Sequence, residues 1–223
     1  DKLRPEEGRR SDTMLLARVD TLTRTVAGVS IPRDTRVRAD LDKGWTKINS
    51  AFTEGGPHAA MNLVEDITGV HPDYYLVVDT ASTKRLVDLV GGVKVDVDRR
   101  MKYDDNWQDL HIDLRPGLQT LDGDKAVQYL RFRHDALGDI RRMQRQQTFV
   151  RALAERIVSP ANIPKLPWVM GELRHQVQTN MGDDDLLFLA NRFRSVPSAA
   201  LELSSLEGES RTVDGISYFL PYR

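Results

Sequence analysis

Cysteine is absent from the 223 residues, which removes disulfides, thiolate metal ligands and thiol nucleophiles together. Such a composition suits an exported protein that avoids stray oxidation, but many cytosolic proteins lack cysteine too. Long apolar runs are missing too. No stretch of about 18 apolar residues occurs, so no segment reads as a membrane-spanning helix, and none has the build of a signal peptide. The phosphate-cradling GxxxxGK[ST] and GxGxxG loops, the zinc-protease HExxH and the hydrolase GxSxG are not found. Five histidines, His58, His71, His111, His134 and His175, show no metal-ligand spacing. A net charge of −1 and an aromatic content of 7% argue against nucleic acid as a partner, because such surfaces need basic excess and rings to stack bases.

What remains is an ordinary globular balance, 40% hydrophobic and 29% charged. The length suits one domain over 1–223 with an ample core. The opening DKLRPEEGRRSD is polar and reads as a loop, as in a fragment trimmed from a longer protein. MLLARV (14–19) and TVAGVSI (25–31) flank DTLT and read as a hairpin, after which Pro32 begins a charged loop. WTKINSAFTEGG (45–56) reads as loop with a possible short helix, and Pro57 as the first position of a helix closed by Gly69. DYYLVV (73–78) has the composition of a buried strand. TASTKRLVDLVGG is a short helix, VKVDVD and LHIDL are strands, and a helix starts near Asp122. Tyr103, Asp104 and Asp105 read as an acidic surface loop. A long helix is expected from Asp139 to about Val158, another over 182–193, and final strands in ALELSSLEG and ISYFLPY. Interleaved strands and helices imply a single-domain α/β sandwich.

RFRHDALGDIRRMQRQQ (131–147) concentrates arginine in a chain that is otherwise near neutral. On a helical wheel of roughly 100° per residue begun at Asp139, Met143, Val150, Leu153 and Ile157 fall within about 40° of one direction, the expected core face. Asp139, Arg142 and Gln146 land within roughly 60° of the same direction. Arg141, Arg145, Arg151, Glu155 and Arg156 fall elsewhere, on an expected wet side. Burying polar groups unpaired costs on the order of 2–7 kcal/mol each, so the first set must meet each other, other charges, water or a ligand. In extended chain Arg131 and Arg133 point one way and Phe132 the other. Two readings stay open. One is an internal salt-bridge network capping the helix. The other is an anion pocket in which Arg131, Arg133 and Arg142 offer planar forks to phosphate oxygens, Asp139 holds Arg142, and Gln146 adds a neutral donor.

Other loops carry weaker signals. SIPRDT (30–35) puts Arg33 and Asp34 at a strand end, where ligands of α/β domains often sit. RSDT (10–13) puts Asp12 at a strand start, and Asp1 could return beside it. Two carboxylates without histidine or cysteine suit a hard cation, magnesium above all. For Lys47 and Asn49 of KINSA, ordinary loop capping stands beside ligand binding.

Taken in order, RSDTMLL, VSIPRDT, KINSAF with the following GGP, LVDLVGGVKVDV, LDGDKAVQYLRFRHD and GDIRRMQRQQ resemble the LytR–CpsA–Psr family of cell-wall proteins, over roughly residues 8 to 155. The resemblance implies a three-layer α/β sandwich on a twisted mixed sheet, with an apolar tunnel for a prenyl chain. It implies an extracytoplasmic domain facing the cell wall, tethered by an N-terminal membrane helix that precedes this stretch. It also implies a phosphotransferase. Such an enzyme moves a glycopolymer (teichoic acid, capsule or arabinogalactan) from a polyprenyl-pyrophosphate carrier onto peptidoglycan, forming a phosphodiester and releasing polyprenyl phosphate. A polyprenyl-pyrophosphate hydrolase and a non-catalytic lipid-phosphate scaffold are the alternatives.

By the same resemblance, Asp1 and Asp12 stand where magnesium ligands would be. Arg33, Arg131, Arg133 and Gln146 match residues that hold the pyrophosphate, with Lys47 and Asn49 beside them. Asp139 and Arg142 match a paired acid and base at that site. Asp12 or Asp139 could take the acceptor's proton, and a loose transition state would need neither. Two departures stand out. A strand that family chains carry ahead of the position of Asp1 is missing, and Arg141 occupies a position where glycine is frequent.

Overall fold

The computed structural model describes residues 13–40, 44–107, 110–132, 138–157, 159–174, 177–192 and 200–222. In chain order these form β1 (Met14–Asp20), β2 (Thr25–Ile31), β3 (Arg36–Asp40), β4 (Gly44–Lys47), α1 (Ile48–Thr68), β5 (Leu76–Val77), α2 (Thr80–Leu89), β6 (Val93–Val97), β7 (Met101–Asp105), β8 (Leu110–Leu114) and β9 (Gly117–Leu121). There follow α3 (Gly123–Arg131), α4 (Gly138–Ile157), a 3-10 turn (Ile163–Lys165), α5 (Leu166–Leu173), β10 (Gln178–Thr179), α6 (Asp183–Arg192), β11 (Leu201–Ser205), β12 (Gly208–Val213) and β13 (Ile216–Pro221). The mixed α/β class expected from the interleaving is what the chain adopts. It packs as two compact units, one of residues 1–18, 27–75 and 203–223, the other of 19–26 and 76–202.

Strands β1, β2 and β11, each with most of its residues in the first unit, form a three-stranded sheet in that order. Hairpins β3–β4 and β12–β13 are antiparallel, and Thr35 bridges to Phe219. Ile31, Val37, Ile48, Ala51, Leu63 and Val64 make the core, with Met14, Leu16, Ile67 and Leu206 against it. RVRAD is strand β3 where the sequence suggested charged loop. Its partner GWTK takes up the start of the stretch read as loop, and the helix begins earlier, at Ile48. The reason is alternation: Val37 is buried between two arginines whose long stems tolerate a sheet edge. Inside α1 the backbone leaves helical geometry at Gly56 (φ 68°, ψ −161°). A side chain there would be strained. Pro57 therefore starts a fresh segment, as its sequence position suggested, and Gly69 closes it by donating to the Glu65 carbonyl at 2.7 Å.

The second unit is built on the antiparallel pairs β6–β9, β7–β8 and β5–β10. β6 and β8 alternate buried and exposed along their length, so Val93, Val95, Val97, Ile112 and Leu114 feed a core completed by Val87, Met101, Leu121, Tyr129 and Phe149. Two aspartates start helices here. Asp79 accepts from the Ser82 N–H at 2.8 Å and Asp122 from the Lys125 N–H at 2.9 Å. That backbone donor holds the Asp122 carboxyl below its usual range. The acidic MKYDD segment is strand β7, registered against β8 so that Asp104 faces His111, not the surface loop its charges suggested. DYYLVV is not a buried strand: only Leu76 and Val77 are extended and paired, and Tyr74, Leu76 and Val78 are exposed. Apolar composition without alternation could not reveal that.

Candidate functional site

In the first unit the PRDT turn is clamped to the start of α1. Thr35 N–H and Oγ1 both donate to the Pro32 carbonyl, at 3.0 and 2.6 Å. Ile48 N–H donates to Thr35 O at 2.9 Å and Asn49 N–H to Arg33 O at 3.2 Å. Asp34 is held by Lys47 Nζ at 3.0 Å, with Arg33 Nε 3.9 Å from its other oxygen. Arg33, Lys47 and Asn49 therefore gather at one helix N-terminus whose first turn carries no acid, where the helix dipole adds positive potential. Both hold the PRDT loop, Lys47 through its ion pair with Asp34 and Asn49 through its backbone N–H on Arg33 O. Lys47 ends β4 and makes no side-chain cap, and Asn49 is buried within the first turn.

In the second unit α4 turns a polar stripe inward. Arg142 is 3% exposed, Arg145 5%, Gln146 8% and Phe149 3%. These positions repeat at i, i+3, i+4 and i+7, one helical face. The real inward direction is thus rotated by roughly 70° from the wheel reading. Met143 and Val150, which steered that reading, are only half-buried. Arg142 and Gln146 fall on the inward face as expected. Arg145, assigned to the wet side, is a correction: its Nη2 donates to the Phe132 carbonyl at 2.7 Å and its guanidinium lies 5.4 Å from the Phe132 ring centre. Arg156, also expected to be wet, is half-buried and bonds Val90 O at 2.8 Å. The spacing of 142, 145, 146 and 149 was the available signal, masked by the assumption that apolar residues mark the core.

Arg131 is the last residue of α3 and half-buried, and Phe132 leaves the helix extended (φ −65°, ψ 126°) with its ring buried. Arg145 therefore ties α4 to the residue after Arg131. Asp98, just past β6, is met by Arg99 at 3.1 Å and Arg141 at 3.4 Å. Buried Tyr129 sits in the field of this cluster. Burial, then the Asp98 charge, pushes its hydroxyl up to about 12, against an opposing pull from Arg145. Because the folded value lies above the ordinary tyrosine value, the stability this group contributes is present below pH ~10 and is lost between about 10 and 12. Ultraviolet titration should show one tyrosine ionising late, absent from Tyr129→Phe. A late component that survives the substitution would refute the assignment.

Asp1, Asp12 and Arg133 lie outside the described residues, and of Asp139 only the backbone is described, in the first turn of α4. Among the described residues no group of three histidines or acids is arranged to hold a metal.

The family model described as "LytR_cpsA_psr family" matches residues 1–223. The chain belongs to this family. Regulatory protein MsrR of Staphylococcus aureus is 32% identical over 180 residues, 79% of this chain and 53% of its own length. The polyisoprenyl-teichoic acid–peptidoglycan teichoic acid transferase TagV of Bacillus subtilis is 32% identical over 206 residues, 89% of this chain and 52% of TagV. The chain thus spans about half the length of these curated relatives. The crystal structure of B. subtilis TagV superposes with a TM-score of 0.86 at 28% identity, covering 100% of this chain and 87% of the other. A structure described as TagT bound to LIIa-WTA shares the fold, with a TM-score of 0.75 at 24% identity over 96% of this chain and 81% of that one. The LytR_cpsA_psr membership and the TagV match establish the α/β fold that the motifs implied.

Proposed function

We propose that this chain is the catalytic domain of a phosphotransferase that moves a glycopolymer from a polyprenyl-pyrophosphate carrier onto a peptidoglycan sugar hydroxyl. The observation that carries the reading is the inward polar stripe of α4, two arginines and a glutamine where the fold calls for apolar side chains. Relatives named as teichoic acid transferases lend it support. In the reaction the acceptor oxygen attacks the phosphorus that bears the glycopolymer. The anhydride P–O bond breaks, and polyprenyl phosphate leaves with the electron pair. The acceptor's proton passes to Asp12 or Asp139, or to solvent if the transition state is loose. Arg33, Arg131, Arg133, Arg142 and Gln146, with Lys47 and Asn49, would bind the diphosphate oxygens and stabilise charge growing on the leaving phosphate. Asp139 would hold Arg142 in place. Magnesium on Asp1 and Asp12 would supply further charge neutralisation. The domain would work outside the cytoplasm, carried by a membrane anchor elsewhere in the full protein.

A purified full-length protein, given a prenyl-diphosphate-linked glycan and a peptidoglycan acceptor, should yield linked product. Arg33→Ala should lower the rate by about a hundredfold or more with little change in melting temperature, because the side chain lies in a turn held by backbone bonds. Asp12→Asn should weaken magnesium binding measured calorimetrically. Release of unlinked sugar phosphate with acceptor present would instead identify a hydrolase, and donor binding without turnover would identify a scaffold.

A further inference from the structure

A cleft of about 620 Å³ lies within the second unit, lined by Arg85, Asp88, Leu89, Pro164, Lys165 and Trp168. The transferase reading uses none of these residues, although Asp88 and Leu89 fall within the LVDLVGGVKVDV motif. Its walls are α2 on one side and the 3-10 turn with the start of α5 on the other. They are fixed by packing and hydrogen bonds. Leu89 and Val169 are buried against each other at the base. Asn162 Nδ2, 2% exposed, donates to Val90 O and to Arg156 O, both at 2.9 Å, which locks the turn before α5 onto the end of α2. Arg85 reaches Glu172 across the rim at 3.1 Å. Asp88 Oδ1 accepts from the Gly123 N–H at 2.8 Å, and Gly123 sits so close to Lys84 and Asp88 that a Cβ there would collide with both.

Against these fixed walls Trp168 is 54% exposed, beside the buried Val169 that anchors its helix. A large indole left in water at the mouth of a formed cleft is a ready contact surface. The polar groups narrow the choice of ligand. Carboxylates of Asp88 and Glu172 disfavour a polyanion, and four charged side chains disfavour an alkyl chain. Cations that only donate and carboxylates that only accept are both satisfied by groups that do each, which is what hydroxyls do. We infer that this cleft binds a neutral pyranose unit of a glycan, its C–H face on the Trp168 indole and its hydroxyls between Asp88 and the Arg85 and Lys165 cations. Sugar binding here needs none of the phosphate-holding residues named above. Only the further step, that the bound glycan is the acceptor strand, rests on the transferase reading.

Titration of the protein with the neutral oligosaccharides chitotetraose and cellotetraose, followed by calorimetry and by tryptophan fluorescence, tests it. Saturable binding of at least one is expected, weakened about tenfold by Trp168→Ala and less by Lys165→Ala, with unchanged circular dichroism. No saturable binding of either sugar, equal binding by Trp168→Ala, or binding confined to poly(glycerol phosphate) and abolished by salt would each overturn the proposal. In a transfer assay Trp168→Ala should raise KM for the acceptor and leave that for the donor unchanged. Sugar binding with no such change would remove the acceptor role alone. Sugar binding by a protein that transfers nothing would remove the transferase reading and leave the cleft.

Discussion

Replacing Arg142 by methionine should lower transfer by about 10²–10³-fold, the loss expected when one charge-stabilising donor is removed, in protein that is still folded at the assay temperature. Arg142 is 3% exposed on the inward face of α4. A cation there carries a desolvation cost, and removing it leaves the group it meets unpaired, so some fall in melting temperature accompanies the loss of activity. The check pairs the transfer assay with a thermal melt. A variant that melts many degrees lower yet transfers normally would show that Arg142 is part of an internal ion network, which was the competing reading of the arginine-rich stretch.

Arg145→Ala should behave in the opposite way, destabilising by about 3–5 kcal/mol. Its guanidinium supplies the Phe132 carbonyl with a charged donor at 2.7 Å. Losing that donor leaves a buried acceptor unsatisfied, on the order of 1–3 kcal/mol. The contact over the Phe132 ring and the emptied volume add comparable amounts. For a chain of this size that corresponds to a fall of roughly 6–20 °C in Tm. Arg145→Lys keeps the charge but loses the planar face, so it should fall between. Urea denaturation of the three proteins measures the series. An alanine variant as stable as the parent would mean that the Phe132 carbonyl finds another donor at no cost.

These two arginines also show where the sequence was readable and where it was not. The segments that alternate cleanly or carry end signals were legible: β6 and β8 by period, α2 by its closing Gly91–Gly92, α3 by Asp122, and the second part of α1 by Pro57 and Gly69. Charge-rich strands were not, because β3 and β7 expose arginine or aspartate at alternate positions and so imitate loops. The extent of α4 was legible, but its rotation was not. A wheel weights apolar residues, and here the most deeply placed side chains include two cations. Arg142 and Gln146 were found because they lay close enough to the assumed face. Arg145 was lost because it lay beyond it. The cleft beside Trp168 left no trace in the sequence, since an exposed tryptophan and a buried one are the same letter.

The reset of the backbone at Gly56 has a consequence for tolerance to change. A straight 21-residue rod would carry any tilt at Leu63 or Val64 along to Asn49, dragging the Arg33 turn with it. Divided there, the helix can let its rear portion drift as the core beneath it is remodelled by substitution, while its front keeps its grip on that turn.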